Sequence, residues 1–232
     1  MIDAFPVILT TVERAVRLVS TARLRPPVLA GLVPGDQLDT LAEIEGATSD
    51  RLLRQHRGGA GISPMEFVAG VPGHSFINAA FAYARPRGLN RFNGPSRGAW
   101  YAAFEVETAI AEVSFHLTRE LDNIGIYETT VDYAELFASF AGDFIDLRNL
   151  PDPQPECLNP DIEIGYPHGN AVADAARTKG LNGIIYPSVR RQGGTCLVAL
   201  IPHAVQSVAQ GRVIRLVWKG RREPEVEFEP RG

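Results

Sequence analysis

One amphipathic helix set between strands limits this chain's possible folds more than any other feature. Within residues 105–120, Val106, Ile110, Val113 and Leu117 recur at 3.6-residue spacing and predict a helix with a single apolar stripe. Residues 99–104 just before it are short, apolar and strand-like. Residues 123–133 just after it are rich in Ile, Thr, Tyr and Val and read as strand, with a weaker strand at 144–147. A striped helix between strands has to cover a sheet face, because neither element can bury its apolar side alone. Alternation in the first strand places Tyr101 and Ala103 on one face, and Trp100, Ala102 and Phe104 on the other. Residues 150–160 form a proline-heavy loop, and 170–179 read as a helix stopped by Gly180. Residues 183–186, 195–201 and 212–218 are three further strands with Pro/Gly punctuation between them.

The first ninety residues read mostly as helix. Val12, Ala15, Val16 and Val19 fall at helical spacing, and Asp36 can cap a segment with Leu38, Leu41 and Ile44 that Gly46 ends. Ser63-Pro64-Met65-Glu66 is a helix-start signature, with an N-cap serine, a proline at the first position and a glutamate three residues on. Phe76, Ala79, Ala80 and Tyr83 suggest one more helix, which Pro86 cannot continue. Helices first and then strands with interspersed helices predict an α+β fold. The expected division is a helical region at 1–84 packed on a core at 85–232.

Charge and cysteine usage remove several function classes. Against 27 acidic residues stand 23 Lys and Arg, a net charge of −4, so there is no basic excess for coating nucleic acid and no direct nucleic-acid role is expected. Cys157 and Cys196 are too few for a disulfide scaffold or a four-thiolate metal site. No apolar run approaches the ~18 residues of a membrane span, and a cytoplasmic protein without a membrane segment is expected. The dinucleotide Gly-x-Gly-x-x-Gly, the phosphate loop, the Gly-x-Ser-x-Gly elbow and His-Glu-x-x-His are all absent from the sequence.

Three segments remain as carriers of chemistry. Arg91, with Asn90 and Asn93 beside a glycine loop, could clamp a phosphate bidentately or be a plain surface arginine. Tyr101 precedes the helix that carries Glu112 and His116. At ~100° per residue Glu112 lies on the flank of the apolar stripe, with His116 four residues on. The pair could ligate a metal if a third ligand came near, or form a solvated face. Ser188 sits where the strand at 183–186 leaves the sheet. Nothing beside it in sequence resembles an activating base, which favours hydrogen bonding over nucleophilic attack.

In this order the segments resemble the RES-domain family. Arg91-Phe92-Asn93, Tyr101, Glu107-Thr108-Ala109-Ile110-Ala111-Glu112-Val113 and Ile184-Ile185-Tyr186-Pro187-Ser188-Val189-Arg190 before Gly193-Gly194 match its pattern over roughly residues 85–205. The resemblance implies an ADP-ribosyltransferase-like mixed β core with flanking helices, with 85–232 as the catalytic domain. It also implies the toxin of a bacterial toxin–antitoxin pair whose Xre-like antitoxin partner makes the DNA contact. The implied substrate is NAD+, with no metal required. Arg91, Tyr101, Glu112 and Ser188 correspond to the family's active-site residues, and Arg91, Asn93, Tyr101, Ser188 and Arg190 would bind substrate. The long region before Arg91 inclines the expectation towards transfer of ADP-ribose to a protein acceptor. NAD+ destruction by hydrolysis or phosphorolysis is the alternative, and a non-catalytic binding module is a second.

Overall fold

The computed structural model describes residues 4–21, 61–82 and 88–228. Seven strands are present among the described residues: β1 (Val7–Ser20), β2 (Trp100–Ala103), β3 (Glu128–Asp146), β4 (Gly183–Pro187), β5 (Thr195–Ala199), β6 (Val205–Lys219) and β7 (Glu225–Phe228). The helices in the described residues are α1 (His74–Ala82), α2 (Val106–Ile124) and α3 (Ile162–Thr178). The strand order is β1-β2-β5-β4-β3-β6-β7, and β1 also pairs with β3. β1, β2, β5, β4 and β3 therefore close a ring, with β6 and β7 continuing from the long β3. All pairings are antiparallel except β3–β4, where the crossover carrying α3 supplies the length that a parallel pair needs. No helix in the described residues is long and apolar enough to cross a membrane.

The sheet has an apolar layer on each face. On one face Val16, Leu18, Ala103, Tyr186, Cys196 and Val198 pack with Ala109 and Leu121 of α2 and Val172, Ala173 and Ala176 of α3. The predicted stripe of α2, Val106, Ile110, Val113 and Leu117, is half-buried against this layer. On the other face Trp100, Ala102, Phe140 and Leu197 pack with Ile77 and Phe81 of α1. The alternation expected in β2 holds: Tyr101 and Ala103 belong to the first layer, and Trp100, Ala102 and Phe104 to the second.

The helix expected over Val12–Val19 is instead strand β1, paired with β3 from Val7↔Ile145 to Ser20↔Tyr133. A bulge between Val12 and Ala15 explains the misreading. Ile8 and Val12 face the second layer. The inserted residue shifts the alternation by one, so Ala15 and Val19 face it next, while Val16 and Leu18 face the first. Apolar residues thus fall three and four apart in an extended chain. The region expected to be helical before residue 85 therefore contributes a strand to the ring, as well as α1.

Other boundaries move for local reasons. Ser63 and Glu66 do form a reciprocal capping box, but it closes a single 3-10 turn, Pro64–Glu66, before the chain extends at Phe67. The segment from Asp36 to Gly46, together with Tyr83 and Pro86, lies outside the described residues. α2 continues to Ile124 and ends on Gly125, whose φ of 73° lets its N–H reach Leu121 O. The strands expected at 123–133 and 144–147 are one strand, β3. α3 begins at Ile162, eight residues earlier than expected. Asp161 caps it by accepting from Glu163 N, and Pro167 is tolerated inside it.

Candidate active site

The loop before β2 is built by its own amides. Asn90 N donates to Asn93 O, and Asn93 Oδ1 accepts from Asn90 Nδ2 at 3.2 Å and from the Tyr101 hydroxyl at 2.9 Å. Asn93 Nδ2 donates to Arg97 O and Gly94 O. The Tyr101 hydroxyl in turn accepts from Phe92 N at 2.9 Å. These bonds lock the loop to the strand, and burial pushes the Tyr101 hydroxyl far above the usual phenol range, so it stays protonated. Asn93, expected among the substrate-binding residues, has its side chain engaged inside the loop and stands behind Tyr101.

Arg91 projects from this loop and is 6% exposed. Its Nη1 donates to Cys157 O at 2.7 Å and Asn159 O at 3.0 Å, and its Cζ lies 5.4 Å from the Tyr166 ring centroid. Two glycines of α3 permit this approach. A Cβ on Gly165 would stand 2.7 Å from Arg91 Nη1, and one on Gly169 only 2.0 Å from Arg91 O. Asn170 Nδ2 completes the junction by donating to Asn90 O at 2.7 Å. Gly169→Ala should therefore force α3 away from the loop at a cost of about 2–3 kcal/mol. That cost should appear as a lower thermal midpoint; an unchanged midpoint would show that the junction yields freely.

The opposite wall comes from α2 and the β4–β5 turn. Glu112 lies one turn beyond the buried Thr108 and Ala109. Its Oε1 accepts from Ser188 Oγ at 2.7 Å. Ser188 Oγ also accepts from Arg190 N and Arg191 N, each at 3.1 Å, while Ser188 N donates to Gly194 O. Its one proton and its lone pairs are thus used, and Ser188 acts as a donor to a carboxylate. Arg190 stacks on Phe115, with Cζ 3.4 Å from the ring centroid, and its Nη2 is buried without a hydrogen-bond partner. Burial pulls the Arg190 guanidinium below its ordinary pKa, yet arginine remains charged at neutral pH.

Arg91, Tyr101, Glu112 and Arg190, from four different elements or turns, line one pocket of about 60 Å³. Asn90, His116, Tyr166 and Tyr186 complete its wall. Ser188 reaches the pocket through Glu112. Among the described residues no three of His, Cys, Asp and Glu gather at one point, so no third side chain of those types joins Glu112 and His116. Sequence reasoning assigned no role to Tyr186, although it lies within the quoted segment, and missed Tyr166 altogether. The Asp161-x-Glu163 start of α3 was the available signal for Tyr166, masked by Pro160 and Pro167. The pocket carries two guanidiniums and one carboxylate, a balance suited to an anionic ligand with a cationic end.

Comparison with known proteins falls on this same region. The model of the RES domain matches residues 68–219, which include every residue lining the pocket. The uncharacterized protein y4oC of Sinorhizobium fredii (strain NBRC 101917 / NGR234) is 28% identical over 199 residues, spanning 85% of this chain and 80% of its own length. Among solved structures, the MbcT–MbcA toxin–antitoxin complex of M. tuberculosis contains a chain that aligns with a TM-score of 0.43 and 14% identity. That alignment covers 93% of this chain and 90% of that one.

Proposed function

The chain belongs to the RES-domain family, and on that footing we propose that it is the toxin of a bacterial toxin–antitoxin pair and breaks the nicotinamide–ribose bond of NAD+. The observation that carries this reading is the Glu112 carboxylate, held by Ser188 and opening into the pocket that also holds Arg91 and Arg190. NAD+ brings a pyrophosphate for the guanidiniums and a cationic ring that leaves as a neutral molecule. When the bond between the ribose anomeric carbon and the ring nitrogen breaks, its electron pair goes to the nitrogen and positive charge develops on the ribose. A fixed carboxylate beside that carbon favours the transition state over the ground state. The acceptor's oxygen then closes on the ribose carbon and gives up its proton, which Glu112 can receive.

On the scale at which one water needs about 10–15 Å³, the pocket of about 60 Å³ has room for roughly four to six waters. That suits one ring, so in this reading the nicotinamide end enters and the rest of the dinucleotide lies at the mouth. The long region ahead of Arg91, of which residues 7–20 are a sheet strand, inclines the reading towards a protein acceptor, with water or phosphate as the alternatives. An Xre-like antitoxin carrying the DNA contact remains the proposed partner.

Mass spectrometry of purified protein incubated with NAD+ tests the reading. Nicotinamide should appear together with ADP-ribose, its phosphate or an ADP-ribosylated protein, and turnover should survive a chelator. Absence of nicotinamide at high enzyme concentration would leave a non-catalytic binding module. Chelator-sensitive turnover would instead bring Glu112 and His116 back as a metal pair.

A further inference from the structure

Glu112 has a second donor that the family motifs do not contain. β4 and β5 pair with Tyr186 directly opposite Cys196, so both side chains stand on the sheet face that α2 covers. Cys196 is 2% exposed, and its Sγ lies 3.7 Å from Glu112 Oε1, within hydrogen-bond range for a thiol. The Ser188 hydroxyl lands on the same oxygen at 2.7 Å. Oε1 carries both bonds and Oε2 carries neither.

We propose that Cys196 is a positioning residue whose thiol, together with the Ser188 hydroxyl, pins Glu112 through Oε1 and leaves Oε2 as the oxygen presented to substrate. Two donors from different places, one on the sheet and one in the turn, fix the carboxylate plane, whereas a single bond would leave it free to pivot. The thiol is suited to donating and unsuited to attack. Burial first, and then the neighbouring carboxylate, push it far above the ordinary thiol range, which keeps its proton in place. The catalytic consequence rests on the NAD+ reading, but the contact itself does not.

Two measurements separate the contact from its consequence. The S–H stretching band absent from Cys196→Val belongs to Cys196, since Cys157 is the chain's other cysteine. It should lie below the frequency of a free thiol and move up in Glu112→Gln, where a carboxylate is exchanged for a weaker acceptor. A band indifferent to Glu112→Gln overturns the contact, whether or not NAD+ is consumed. In turnover, Cys196→Val keeps approximate volume and removes the donor. It should lose about three- to tenfold in kcat with KM for NAD+ nearly unchanged, the scale of one weak hydrogen bond. Cys196→Ser should recover most of that loss, which a purely packing role would not allow. Wild-type kcat in a folded Cys196→Val protein overturns the positioning role while the NAD+ reading stands. Failure of the wild-type protein to release nicotinamide removes the NAD+ reading and the catalytic role together, and the S–H band still decides the contact.

Discussion

Glutamine in place of Glu112 should slow NAD+ consumption by about 10²–10³-fold, or roughly 3 kcal/mol of barrier, without unfolding the protein. Glutamine matches the shape of glutamate and keeps a carbonyl oxygen where Ser188 Oγ now donates at 2.7 Å, so the turn that presents the serine survives. What it removes is the one carboxylate lining the pocket. The charge developing on the ribose would then face two guanidiniums, Arg91 and Arg190, with no carboxylate to balance them. The loss should therefore fall on kcat far more than on NAD+ affinity, because the ground-state ribose carries little of that charge. The check is the rate of nicotinamide release beside circular dichroism and a thermal midpoint. A folded Glu112→Gln protein turning over like the wild type would take Glu112 out of the mechanism.

The site was legible in the sequence further than the fold was, for a physical reason. Arg91, Tyr101, Glu112 and Ser188 lie on short segments whose local chemistry left each of them open, and it was their order, matching the RES-domain pattern, that picked out the set. Their convergence follows from α2 covering the face of β2, β4 and β5 that its stripe demands, together with the close junction of α3 and the Arg91 loop. β1 went wrong because a bulge changes the phase of a strand, and 3-residue spacing then mimics a helix. β3 was split because Ala134, Ala138, Ala141 and Gly142 carry little strand signal. Ala134 and Ala138 are set by pairing with β1 on one side and β6 on the other, and Ala141 and Gly142 by pairing with β1, partners more than a hundred residues away in β1 and 70 to 79 residues away in β6. Asn93 shows the opposite limit. The family resemblance implied ligand contact for it, and the bonds to Asn90, Arg97 and Tyr101 engage its amide inside the loop.

Arg91 is where stability and substrate binding meet, and its two substitutions should separate them. Arg91→Ala leaves the Cys157 and Asn159 carbonyls without their shared donor and opens space beside Gly165. Unsatisfied buried acceptors and the void together should cost about 3 kcal/mol, a fall of roughly 6–12 °C in thermal midpoint for a chain of this size. Any loss of NAD+ consumption in that variant would be confounded by loss of fold. Arg91→Lys retains the charge and can keep one of the carbonyl bonds, so its stability loss should be nearer ~1 kcal/mol. It cannot, however, reach those carbonyls and a phosphate on the other side at once, because its three donors sit on a single nitrogen, whereas the guanidinium spreads five donors over three nitrogens. Arg91→Lys should therefore raise KM for NAD+ by about tenfold while the protein stays folded. Unchanged KM there would confine Arg91 to joining the loop to α3, and would leave Arg190, with its unpaired Nη2, as the cation that meets the pyrophosphate.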